Sequence, residues 1–338
     1  MRINRRLISR PLRFPLVASY RYGSHQPELE RTKENLSQTA SQLYKYNNSI
    51  RDDYQVPKYP IVLCHGFSGF DSLVSLPAVE LFHQAKHKEA SAKEMAREAD
   101  TKIEFFEYWH GIRKELLARG CQVLVAKVPP FATIETRSKI LNEFLQRTIS
   151  KRFPNAQQPV KVNLIAHSMG GLDCRHLISA YEQKNFEIVS LTTVSTPHRG
   201  SYAADRILQL IPTRIIDNFL PSLKELTLES CVHLNRHITD DPNVKYFSYG
   251  ASFTPSIFNV FYPTWKMVYP EEGPNDGLVS IKSAKWGEYL GSLENVDHLD
   301  LINWINISKR FKIVIGMRTF NPVALYLDLA DNLAKRGL

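Results

Sequence analysis

No run of roughly 18 uninterrupted apolar residues occurs anywhere in this chain of 338 residues, so no segment reads as a membrane-crossing helix and any membrane contact is expected to be peripheral. Cysteine is scarce too. Cys64, Cys121, Cys174 and Cys231 lie far apart, without a C-x-x-C pair or a Cys/His cluster at zinc spacing, so neither a disulfide framework nor a metal is expected. No other cofactor is expected. Internal repeats and low-complexity tracts are also missing, which excludes a solenoid.

Acidic residues and lysine are absent from the first 27 positions, which hold six arginines: Arg2, Arg5, Arg6, Arg10, Arg13 and Arg21. This is the composition of a mitochondrial transit leader, whereas the apolar core of a secretory signal would be broken by Arg10 and Arg13. Pro11 and Pro15 interrupt a continuous amphipathic helix, and a solvated basic arm is the competing reading. The rest of the chain carries 37 basic against 34 acidic side chains, so the net charge of +9 belongs mostly to the leader. Without a recognition motif, nucleic acid is not an expected partner.

What is present suits a packed domain, with 43% hydrophobic and 23% charged residues. Residues 28–57 are polar and turn-rich and read as a linker, leaving 58–338 as the folded domain. Short β-rich runs fall at Ile61 to Cys64, Gln122 to Val128, Val162 to Ala166, Ile188 to Val194 and Val244 to Tyr249. Helical spacing links Ile103, Phe106, Ile112 and Leu116, and recurs from Ile134 to Ile149. Alternating strands and helices give an α/β fold, with a mostly parallel sheet covered on both faces. Residues 201–243 form a helical, apolar insertion ahead of the fifth run, the natural candidate for a lid.

The third run leads into His167-Ser168-Met169-Gly170-Gly171 and then a helix from Leu172. A serine on a sharp strand-to-helix turn has its hydroxyl exposed by a strained backbone, and small residues two before and two after it relieve the crowding. Ala166 stands where the G-x-S-x-G pattern has its first glycine, at the cost of one methyl. This makes Ser168 the expected nucleophile of an α/β-hydrolase. The oxyanion donors are expected to be the backbone N–H groups of Met169 and of Phe67, in His65-Gly66-Phe67-Ser68-Gly69 after the first strand. His65 precedes the serine, against the chain order of this fold, and reads as a residue bonded to the oxyanion loop. His176, His198 and the pair His233 and His237 are poorly placed, leaving His298 as the base. Asp276, in Asn275-Asp276-Gly277 between nucleophile and histidine, is the expected acid, although the same tripeptide also reads as a plain turn.

Five ordered motifs carry a resemblance to the fungal mitochondrial triacylglycerol lipases and, more distantly, to the true lipases secreted by pseudomonads. They are Tyr108-Trp109-His110-Gly111-Ile112, Ala166 to Arg175, Ser195 to Ser201, Pro274 to Val279 and Asp297-His298-Leu299-Asp300, within a match running from about Tyr59 to the C-terminus. The resemblance implies hydrolysis of acylglycerols, with Ser168, Asp276 and His298 matching the family's triad. It makes an acylglycerol the expected substrate and a membrane or lipid-droplet surface the expected contact. Phospholipid deacylation and acyl transfer use the same triad and stay open, as does a noncatalytic scaffold. The bacterial lipases hold calcium between two aspartates. Asp300 matches one, but Ser252 to Ser256 offers no carboxylate for the other, so calcium is not expected.

Overall fold

The structure is a computed structural model that describes residues 49–67, 108–304 and 320–338. The expected leader, most of the expected linker, Ser68 and Gly69, and the helical positions Ile103 and Phe106 lie outside the described residues. Among the described residues six strands form one sheet in the order β2-β1-β3-β4-β5-β6, every neighbouring pair parallel. The strands are β1 (Ile61–Cys64), β2 (Val123–Val125), β3 (Val160–His167), β4 (Phe186–Val194), β5 (Lys245–Ser252) and β6 (Glu288–Glu294).

Successive side chains of a strand point to opposite faces, and β1 shows what this does here. Ile61 and Leu63 join a core with Ile165, Trp109 and Tyr326, beneath α1 (Ile112–Ala118) and the C-terminal α10 (Pro322–Lys335). Val62 and Cys64 join the opposite core, with Leu164 and Ala166, beneath α2 (Ile134–Arg152) and α3 (Gly170–Ala180). Burial on both faces is why these strands read as continuous apolar runs. Helix α2 starts where Thr133 caps the Thr136 N–H and ends on Lys151 and Arg152, which complement its dipole. Its Leu141, Leu145 and Ile149 recur at the spacing that keeps one face on the sheet.

Between β4 and β5 the expected helical insertion consists of α4 (Tyr202–Leu210), α5 (Thr213–Phe219), α6 (Pro221–Glu225) and α7 (Leu228–His237). Leu220, Leu223, Leu226 and Cys231 form a third core with Met169 and Leu172, so the insertion packs over the start of α3. Two further helices, α8 (Tyr262–Glu272) and α9 (Ile281–Ala284), lie between β5 and β6.

The end of the expected linker is docked rather than free. Arg51 reaches Asp328 at 2.9 Å and Asp331 at 3.0 Å on α10, and Tyr54 packs on the first core. The Lys58 N–H donates to the carbonyl of Leu338 at 2.7 Å, fastening the way into the domain to its last residue.

Candidate active site

Strand β3 delivers Ser168 at the C-terminal edge of the sheet, where ligand sites form in parallel α/β proteins. Ser168 has φ 55°, in the left-handed region that costs a non-glycine residue energy. Its N–H donates to Val194 at 3.0 Å, and its carbonyl accepts the Thr196 hydroxyl at 2.7 Å, so the strained turn is held from both sides. Gly66, Gly170 and Gly171 permit the crowding. A Cβ on Gly66 would lie 2.6 Å from Ser168 Cβ, one on Gly170 2.7 Å from the carbonyls of Cys64 and His65, and one on Gly171 2.2 Å from the Thr196 hydroxyl. Ala166, fully buried between Cys64 and Thr193, has room for its methyl.

The three residues expected to act together are brought together across a large sequence separation. His298 Nε2 lies 2.9 Å from Ser168 Oγ, and His298 Nδ1 lies 2.7 Å from Asp276 Oδ2. The other carboxylate oxygen, Asp276 Oδ1, accepts the backbone N–H groups of Leu278 and Val279 at 3.0 and 2.8 Å, and the Asp276 carbonyl accepts the His298 N–H at 2.9 Å. Asp276 is completely buried and both of its oxygens are used, which fixes the ring of His298 in the orientation that presents Nε2 to the serine. The Asn275-Asp276-Gly277 turn and the acid are therefore the same structure. With the carboxylate on Nδ1–H, Nε2 can accept a proton from the serine hydroxyl.

Gly66 sits against the elbow, and a Cβ there would lie 3.2 Å from the Met169 nitrogen. Phe67 follows it and lines the same cavity as Ser168. Of the two expected oxyanion residues, Phe67 thus shares the cavity with Ser168, and Met169 follows the serine in the elbow.

Two supports of this loop were not legible as such. The Tyr108 hydroxyl accepts the Gly66 N–H at 3.0 Å and donates to His167 Nδ1 at 2.7 Å. Burial, and then the neighbouring His298, hold His167 well below the ordinary histidine range, so beside His298 stands a neutral imidazole. The second support is Arg137, which is fully buried. It pairs with Asp173 of α3 at 2.7 Å and donates to the carbonyls of His65 and Gly66 at 2.9 and 3.2 Å, and to that of Pro129 at 2.8 Å. Burial raises the Asp173 carboxyl even so. The signal was a charged residue at a core-facing position of α2, between Ile134 and Leu141.

The histidines set aside are engaged elsewhere. His65 bonds the Gly66 carbonyl through Nδ1 at 3.0 Å and accepts the Val128 N–H at 3.2 Å, and burial, helped by Arg137, pushes it down to about 4. His176 meets Ser138, His198 is buried against Thr193, and the rings of His233 and His237 stack 4.1 Å apart. Asp300 Oδ2 accepts the Asp297 N–H at 3.3 Å, and among the described residues no group of three or more His, Cys, Asp or Glu side chains is placed to hold a metal ion.

Above the serine opens an apolar cavity. Ala203, Ala204 and Ile207 of α4, Leu223 and Leu226 line one side, and Leu299, Ile302 and Trp304 belong to the segment after His298. Among the described residues, no Asp, Glu, Lys or Arg side chain lines it.

Residues 56–225 match the family described as PGAP1-like alpha/beta domain. The chain is 41% identical to Triacylglycerol lipase 2 of Saccharomyces cerevisiae, over 85% of this chain and 95% of that protein. It is 26% identical to Triacylglycerol lipase of Vibrio cholerae, over 84% of this chain and 90% of the relative. Among solved structures, the Staphylococcus hyicus lipase superposes with a TM-score of 0.53 at 17% identity, covering 85% of this chain and 98% of that one. Lipase 1 from Pelosinus fermentans gives 0.54 at 17% identity, covering 82% and 99%. At these identities the two structures speak for the fold, that of lipases.

Proposed function

The chain belongs to the triacylglycerol lipase family, and from that premise we propose that it cleaves the carboxylic ester bonds of triacylglycerols and diacylglycerols through an acyl-enzyme. The observation that carries the reading is the continuous hydrogen-bonded chain Asp276, His298, Ser168 in a cavity whose described lining is mostly apolar. Ser168 Oγ attacks the ester carbonyl while His298 Nε2 takes its proton, and Asp276 holds the imidazolium that forms. The backbone N–H groups of Phe67 and Met169 receive the negative charge that develops on the carbonyl oxygen. His298 then returns the proton to the departing glyceride alcohol, and water, deprotonated by the same histidine, releases the fatty acid. No metal or cofactor is invoked for any of these steps.

The apolar lining favours a neutral glyceride over a phospholipid, because among the described residues no Lys or Arg lines the cavity to meet a phosphate. In the same reading α4 to α7 act as the lid, since Ala203, Ala204, Ile207, Leu223 and Leu226 contribute to the cavity wall. The acid-free arginine leader supports delivery to mitochondria, which a fluorescent fusion with and without residues 1–27 tests directly.

Replacing Ser168 by Ala is expected to lower kcat on a long-chain acylglycerol by about a millionfold and to abolish labelling by a fluorophosphonate probe. Residual turnover by the purified variant within about tenfold of the unmodified protein would sink the assignment. Product analysis by mass spectrometry on triacylglycerol, phospholipid and competing alcohols separates hydrolysis of glycerides from phospholipid deacylation and acyl transfer.

A further inference from the structure

The segment after β5 leaves the C-terminal edge of the sheet, the edge that carries Ser168, and does something unusual for a surface turn. Its tip is a tight turn closed by the Asn259 N–H on the Ser256 carbonyl at 2.9 Å. The two corner positions of such turns usually hold glycine, proline or short polar residues. Here they hold Ile257 and Phe258, 67% and 92% exposed, followed by Val260 at 38%. Single exposed apolar residues are ordinary on a protein surface, but three within four positions on a projecting turn form a patch with a purpose.

The turn is also built to stay in place. Asn259 Oδ1 accepts the Phe261 N–H at 2.8 Å, and Phe261 is almost wholly buried. Phe261 presses on Gly277, where an added Cβ would lie 2.5 Å from the phenylalanine Cβ. At the other end of the loop the Phe253 N–H donates to the Asn275 carbonyl at 3.2 Å. Both feet of the loop therefore stand on the residues either side of Asp276. Leu278 and Val279, which follow, line the cavity over Ser168.

The chemistry of the patch selects its partner. From Ser252 to Trp265 there is no Asp, Glu, Lys, Arg or His. An anionic bilayer would be met by basic residues around the apolar tip, as membrane-surface segments usually provide. A charge-free apolar tip on a loop footed beside Asp276 suits an uncharged lipid phase. Resting on the lipase reading above, we propose that the turn Ser256 to Val260 is an interfacial anchor that docks the protein on a neutral acylglycerol surface. Ile257 and Phe258 enter the lipid, so that the cavity over Ser168 is held at the interface by a rigid turn belonging to the acid-bearing segment.

The test uses the full chain carrying Ser168→Ala, which binds without hydrolysing, with and without Ile257→Ser and Phe258→Ser. Partition onto a trioleoylglycerol emulsion stabilised by phosphatidylcholine is measured by flotation, alongside phosphatidylcholine vesicles with and without phosphatidylserine. The paired substitution is expected to weaken partition onto the emulsion by about tenfold or more. In the Ser168 background, the same pair should leave kcat/KM on a soluble butyrate ester within about twofold. Unchanged partition onto the emulsion would overturn the proposal. So would stronger binding to the phosphatidylserine vesicles than to the emulsion, or self-association of the protein that the two substitutions abolish. If long-chain acylglycerol is not hydrolysed by the unmodified protein, the lipase reading fails, and flotation still reports on the anchor separately.

Discussion

Tyr108 touches no atom of the Asp276, His298 and Ser168 chain in the hydrogen bonds described, yet it governs both neighbours of that chain. Its oxygen takes the Gly66 N–H, and its proton goes to His167, so the loop bearing Phe67 is tied to the strand bearing Ser168. Tyr108→Phe leaves a buried backbone donor without its partner, a loss of about 1–3 kcal/mol. If the loop is held for the charge that develops on the carbonyl oxygen, kcat on a soluble ester should fall about tenfold or more with KM changed little. Equal kcat for the two proteins would show that the tyrosine is only a packing residue. At this scale the nucleophile was legible because the elbow is local: five consecutive residues carry the pattern, and the methyl of Ala166 is small enough to leave it intact. His298 and Asp276 were reached through chain order, because their partners are not near them in sequence. Tyr108 stood in a recognisable motif, but its role depends on Gly66 and His167, which only the fold brings to it.

At the scale of elements, the strands β1 to β5 could be read because parallel strands buried on both faces are continuous apolar runs. Strand β6 is half-buried and interrupted by Gly291, which weakens both signals. Helix α8 contains Pro263 near its start and Pro270 within it, residues that argue against a helix when only sequence is in view. Pro263 falls in the first turn, where no intrahelical N–H is lost. Arg137 belongs to this scale because it joins elements: α2 to α3 through Asp173, and α2 to the loop after β1 through two carbonyls. Arg137→Met leaves Asp173 buried without its cation and is expected to cost about 3–5 kcal/mol, while adding Asp173→Leu restores part of the loss. Urea denaturation of the two single variants and the double variant measures the coupling. Simple additivity of the two single losses would mean that the pair is not a unit.

For the whole molecule, the buried neutral histidines set a pH dependence. Burial holds His167 and His198 well below the ordinary value, and cations add to this at His198. A depressed folded value means that the unfolded chain takes up protons first as pH falls below about 6.5, so stability is lost from that point downward. Each such histidine contributes a slope of about 1.4 kcal/mol per pH unit. Asp173, Glu225 and Glu272 are raised by burial and oppose this trend as pH falls through their raised values. The urea midpoint is expected to be lower at pH 5.5 than at pH 7.5, and equal midpoints would contradict the account. The overall architecture was largely legible because alternating elements specify it. The docking of residues 51–58 was not, since a polar stretch looks the same whether it is free or pinned by ion pairs to a helix far along the chain.

The clasp between Lys58 and Leu338 makes the described fold nearly a closed ring. A ring has no obligatory starting point. New ends could be opened in the surface segment Glu182 to Lys184, between α3 and β4, with Leu338 joined to Lys58 at the clasp. Such a permuted protein would meet its acid first, its histidine second and its serine last, while every atom of the site kept its neighbours. The order that led from Ser168 to Asp276 and His298 is thus a property of the chain's connectivity, and the chemistry is indifferent to it.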